Sequence, residues 1–129
     1  MKILAEISVG ELYDKITILN IKLKKINDPN KLKNIKIELD ALIEQSNKLI
    51  LKDDEKIRKN IQKLQDINEE LWDIENIKRE CEANKEFGEI FIKISRDVHF
   101  KNDIRASIKK EINLLSNSKI TEQKEYSKY

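Results

Sequence analysis

Three groups of polar side chains have the types and spacing to do chemistry. Between residues 96 and 109 stand Arg96, His99, Asn102, Asp103, Arg105 and Lys109. If a helix starts at Asn102–Asp103, its free amides together with the guanidinium and ammonium groups would form a cradle for phosphate or carboxylate. A second group, Trp72, Glu75, Lys78, Arg79 and Glu82, sets an indole and alternating charges along one helical stripe. There the i,i+4 spacing pairs Glu75 with Arg79, and Trp72 is either a core filler or a stacking platform. The third group is Glu11, Asp14, Lys15 and Thr17 near the start of the chain. Asp14 and Lys15 are neighbours and point about 100° apart on a helix, so each needs a partner on another element. That partner is either an interhelical salt bridge or a ligand.

Other chemistries find less footing. His99 is the sole histidine and has no Ser or Cys at a recognisable triad spacing. Cys81 is the sole cysteine, which excludes an internal disulfide and a cysteine-based metal site, and it reads as a small apolar residue on a helix. Glu69-Glu70 with Asp73 has the EExxD spacing of the all-α pyrophosphohydrolases, but Glu38, Asp40 and Glu44 do not supply the second acidic cluster that magnesium would need. P-loop, Rossmann and HExxH patterns are absent. No metal site, no cofactor and no particular reaction is expected.

Helices must position these groups. Ser8 followed by Glu11 is a capping box, with Ile7 and Leu12 as its apolar staple. From that cap Val9, Leu12, Ile16, Leu19, Leu23 and Ile26 recur at steps of three and four, the spacing of a coiled-coil seam. Ile18 and Ile21 mark a second stripe on the side of Glu11 and Asp14, so neighbours are expected on two sides. Pro29 ends this helix and opens a second over residues 30–52. Its seam is Leu32, Ile35, Leu39, Leu42, Ser46 and Leu49, while Ile43 and Ile50 widen the face toward a third helix. Asp53 and Asp54 supply the next break and cap. The third helix, residues 55–86, carries Ile57, Leu64 and Leu71 in one row and Ile67, Ile74 and Cys81 in another, with Ile61, Trp72 and Ile77 to the side. Gly88 suits a left-handed cap or a kink. A short fourth helix then carries Phe91, Ile94 and Val98, and a fifth follows the Asn102–Asp103 cap with Ile104, Ile108, Ile112 and Leu115.

The 129 residues fit a single helical domain, 1–129, with 26 basic and 24 acidic side chains in mixed order. That balance does not resemble a nucleic-acid footprint. Two glycines and one proline are too few for a turn-rich β fold. The opening MKILAEI is too short and polar for a signal segment, and no apolar run approaches a membrane span, so a cytoplasmic protein is expected.

The segments SVGELYDKITIL (8–19), LWDIENIKRECE (71–82), FGEIFIKISRDVHFKNDIRASIKKEIN (87–113) and ITEQKEYSKY (120–129) together resemble a family of short bacterial and bacteriophage proteins catalogued as a domain of unknown function. The likeness spans nearly the whole chain except 27–60. Members of that family stand near glycosyltransferase and surface-polysaccharide genes, and no reaction comes with the resemblance. Its polar positions here are Glu11, Asp14, Lys15, Trp72, Glu75, Glu80 or Glu82, Arg96, Asn102, Asp103, Arg105, Lys109, Asn113, Glu122, Lys124 and Tyr126. His99 and Phe100 depart from an aromatic followed by a longer aliphatic, and Ser95 from a small apolar residue.

The expected architecture is all-α: a long antiparallel helical hairpin or three-helix bundle over 8–86, two shorter C-terminal helices, and a tail packed back near the opening helix. Closure would bring Arg96, Arg105 and Lys109 toward Glu11 and Asp14, as a salt-bridge network or as a site for an anionic ligand such as a nucleotide sugar. The function expected is an interaction module, binding a protein partner or a second copy of the chain, accessory to surface-glycan synthesis or a phage process. The alternative is a small helical enzyme or anion binder using the polar layer.

Overall fold

The computed structural model describes residues 1–49 and 55–128. Among these the regular elements are four helices, α1 (Val9–Lys25), α2 (Pro29–Asn47), α3 (Glu55–Ala83) and α4 (Glu89–Leu115), and no strand occurs. The expected positions Ile50, Asp53 and Asp54 lie outside the described residues.

Helix α1 is the hub. It packs against α2, α3 and α4, α3 packs against α4, and α2 approaches α1 alone. The three-helix unit is therefore α1, α3 and α4, not the first three helices in chain order. One core layer, Leu64, Ile67, Ile108 and Ile112 with Val9, Tyr13 and Ile61 against it, joins these three helices. A second, Leu19, Ile35 and Leu39 with Ile16, Leu23, Ile26 and Leu42, joins α2 to the far part of α1. The α1 and α2 seams thus meet each other, but Ile43, expected beneath a third helix, is exposed.

The C-terminal half differs from its expected form. Residues 89–115 make one helix instead of two, because no Gly or Pro interrupts 98–102. Asn102 and Asp103, good caps where a helix begins, sit here within a ladder already propagating from Glu89. Helix α3 ends at Ala83, and Lys85, not Gly88, takes the left-handed conformation (φ 53°), with the Glu86 amide returning to the Cys81 carbonyl at 2.8 Å. Asn117 (φ 52°) does the same after α4, where the Ser118 amide reaches the Asn113 carbonyl at 2.9 Å.

Candidate functional site

The first four amides of α1 show how its start is held. Ser8 Oγ accepts from the Glu11 amide at 3.0 Å, and the Leu12 amide donates to the Ser8 carbonyl at 3.1 Å. The Gly10 amide donates to Asn113 Oδ1 at 2.7 Å and the Val9 amide to Ser118 Oγ at 3.2 Å. The Val9, Gly10 and Glu11 amides, which a helix start leaves open, are all satisfied, two of them by residues at the end of α4 and just beyond, while the Leu12 bond is the first of the helical ladder. Only half of the expected capping box forms, since the Glu11 carboxylate turns away to lysines.

One turn further on lies a polar layer. Asp14, 2% exposed, accepts through Oδ1 from Arg105 Nε and from Asn68 Nδ2, both at 2.9 Å, while its Oδ2 lies 2.5 Å from the second Arg105 donor. Asn68 also donates to Thr17 Oγ1 at 2.9 Å, and that hydroxyl donates to the Asp14 carbonyl at 2.8 Å. Lys109 Nζ reaches Glu11 at 2.7 Å and Glu122 at 2.8 Å, and stands 3.9 Å from Asp14. Lys15 lies 3.6 Å from Glu11 and Lys124 3.9 Å from Glu122. Both buried-side cations thus have carboxylate partners, and the layer is closed on itself. It ties α1, α3, α4 and the tail together.

These pairings shift titration. Burial by itself would raise the Asp14 carboxyl, but hydrogen bonds from Arg105 and Asn68 and the charges of Arg105 and Lys109 outweigh it and hold the group below the ordinary aspartate value. The hydrogen bond to Asp14 raises Arg105. Burial opposes charge on Lys109, yet Glu11 and Glu122 raise it overall. The hydrogen bond from Lys109 lowers Glu122. The sign follows from these directions: a carboxyl depressed on folding stabilises above its unfolded pKa and loses that contribution as pH falls through the folded value. Cations raised on folding contribute fully below their unfolded values and lose it only as pH rises through the folded ones. The stability gap between the wild type and Asp14→Asn should therefore be widest from about pH 5 to pH 9 and shrink below about pH 4. Urea titrations at a series of pH values measure that gap; a gap that does not change on acidification would contradict the assignment.

The remaining expected residues lie elsewhere. Arg96, His99, Asn102 and Asp103 line a surface groove of about 1170 Å3 between α4 and the tail, so Arg96 does not join Arg105 and Lys109. The cradle expected at a helix start there does not form, because the amides of 102–105 lie inside continuous α4. Glu75, Lys78, Arg79 and Glu82 line a cleft of about 190 Å3 with Phe91, while Trp72, half-buried, is not among its lining residues. Among the described residues Glu75 and Arg79 form no ion pair. Glu70 binds Lys101 at 2.8 Å and Asp73 lies 3.7 Å from Lys25. No group of three or more His, Cys, Asp and Glu side chains among the described residues could hold a metal.

Two contributors escaped the sequence reading. Asn68 sits at a seam position between Leu64 and Leu71, so its signal was a polar residue where the three-four spacing calls for an apolar one. Gly10 left no comparable mark: a Cβ there would lie 2.5 Å from the Lys109 carbonyl oxygen, so its role emerges only once α4 is in place. Ser95 buries its hydroxyl without a partner among the described residues.

The fold defines an all-helical protein with an ion-paired polar layer and a groove walled by its own tail. No helix among the described residues is long and apolar enough to cross a membrane. The chain matches the model of a family of unknown function (DUF6165) over residues 1–129 and belongs to that family. No curated protein and no solved structure matches it.

Proposed function

We propose that the protein is a helical interaction module that pairs with a second copy of itself through the α3–α4 end. The observation carrying this reading is a set of large apolar side chains left exposed there: Ile77, Phe87 and Ile90, with Ile90 63% exposed. Phe87 stacks edge-on against Phe91 at 5.4 Å between ring centroids, which stiffens that surface. Lys85, Glu86, Glu89 and Lys93 flank it with both signs of charge, so a two-fold pairing can set unlike charges opposite each other. Exposed apolar surface of this kind marks association. The paired polar layer supports the same reading over an anion site at Glu11, Asp14, Arg105 and Lys109, since an incoming anion would have to displace carboxylates already seated on both cations. The setting in which such a module would act, surface-glycan synthesis or a phage process, rests on the family resemblance alone.

Light scattering across a concentration series is the test. The wild type should show a concentration-dependent dimer, and Phe87→Ser and Ile90→Lys should each weaken it at least tenfold while leaving the melting temperature within about 2 °C, because both side chains are already largely in solvent. A chain that stays monomeric at every concentration, or a dimer indifferent to both substitutions, would overturn the reading.

A further inference from the structure

The groove between α4 and the tail has the composition of a small-molecule site. Its cations come from both walls, Arg96 from α4 and Lys124, 3.9 Å from Glu122, from the tail, with the His99 imidazole about one turn along α4 from Arg96. So does its apolar surface, Val98 and Phe100 from α4 and Tyr126 from the tail. Tyr126 is 75% exposed, so its ring is accessible to a ligand. Cations alone would suit any anion, but cations interleaved with aromatic rings suit one that also carries a planar group. The volume, about 1170 Å3, is somewhat above the roughly 300–1,000 Å3 of ordinary small-molecule sites and much more than a lone phosphate needs. Asn102, which lines the same groove, suits hydroxyl groups.

We propose that this groove binds a nucleoside diphosphate or a sugar ester of one, with its phosphates facing Arg96, His99 and Lys124 and its base against Tyr126. A guanidinium matches two phosphate oxygens at once, and an ammonium adds a compact charge. The tail wall is itself positioned. Residues 119–128 are all exposed, and the tail is anchored by Glu122 on Lys109 at 2.8 Å and by Ser118, which accepts from the Val9 amide. Glu122 is therefore a positioning residue: it pairs with Lys109 at 2.8 Å, stands at the looser distance of 3.9 Å from Lys124, and so keeps Lys124 and Tyr126 beside α4 without lining the groove itself. The site exists only while the tail is docked, so a bound ligand and the Glu122–Lys109 pair stabilise each other's state.

Calorimetric titration of the full chain with UDP and ADP tests this, with uridine and inorganic phosphate as partial probes. Both diphosphates should bind and raise the melting temperature, and uridine or phosphate alone should bind at least tenfold more weakly. Arg96→Gln and Lys124→Gln should each lower the affinity for UDP about tenfold, while Lys78→Gln in the separate cleft leaves it unchanged. UDP should slow tryptic cleavage after Lys124 in the wild type but not in Arg96→Gln, and Glu122→Gln should weaken UDP binding and speed that cleavage. Absence of binding by either diphosphate, phosphate binding as tightly as UDP, or unchanged affinity in the Arg96→Gln/Lys124→Gln double variant would overturn the proposal. Unchanged UDP affinity in Glu122→Gln would overturn the positioning role.

Discussion

Asp14→Ala is expected to destabilise the fold by about 3–5 kcal/mol, the range for removing one partner of a buried ion pair. For a chain of this length that is a fall of roughly 11–18 °C in melting temperature. The size follows from what remains after the carboxylate is gone. Arg105 is only about a quarter exposed and would keep a guanidinium whose two contacts to Asp14 have vanished. Asn68 would lose one of its two acceptors, and Lys109 one of three nearby carboxylates. Glu11→Ala, by contrast, removes a partner that Glu122 can replace on Lys109, and should cost distinctly less. Urea denaturation of both variants provides the comparison, and an Asp14→Ala cost below that of Glu11→Ala would contradict the hierarchy.

Gly10→Ala should cost about 3 kcal/mol, although alanine is the better helix former by about 1 kcal/mol. The added Cβ would sit 2.5 Å from the Lys109 carbonyl oxygen, 3.1 Å from its carbon and 2.9 Å from Asn113 Oδ1. Two of these atoms are backbone within a helix, so relief requires moving α1 away from α4. That movement lengthens the 2.7 Å bond from the Gly10 amide to Asn113 and loosens the Lys109–Glu11 contact one turn along. Hydrogen exchange should show the amides of Val9 and Gly10 losing protection before those of α3. Gly10→Ala within about 0.5 kcal/mol of the wild type, the ordinary range for an inconsequential surface change, would show that the close approach is not needed.

Much of this was legible in the residues. The Ser8 cap, the α1 seam and its match to Ile35 and Leu39 follow from local rules of hydrogen bonding and spacing, and local rules survive folding. That α1 carries a second packed face was legible from Ile18 and Ile21, and the meeting of Asp14 with Arg105 and of Glu11 with Lys109 from the C-terminal half closing on that face, whereas Lys15, expected to find a partner on another element, lies 3.6 Å from Glu11 on the same helix. Where choice depended on competition between distant parts, the sequence was mute. Asn102–Asp103 reads as a start of helix only if the preceding helix has stopped, and nothing between Val98 and Asn102 stops it. Ile43 suggested that α3 lies against α2, yet α3 packs against α1 and α4 instead. Both outcomes go with one long pairing, α3 along α4, and such a pairing between distant segments is not written in any single window. The groove escaped for a related reason: Lys124 and Tyr126 lie in a tail without helical periodicity, and its course over α4 depends on Glu122 finding Lys109.

The polar layer as a structural clasp between α1 and α4 is tested most directly by a double-mutant cycle on Asp14 and Arg105, using Asp14→Leu, Arg105→Met and the two combined, followed by urea denaturation. A clasp predicts that Asp14→Leu alone is strongly destabilising and that adding Arg105→Met recovers at least half of the loss, since replacing a whole buried pair by apolar side chains is far cheaper than orphaning one charge. Additive losses, with no recovery in the combined variant, would contradict it.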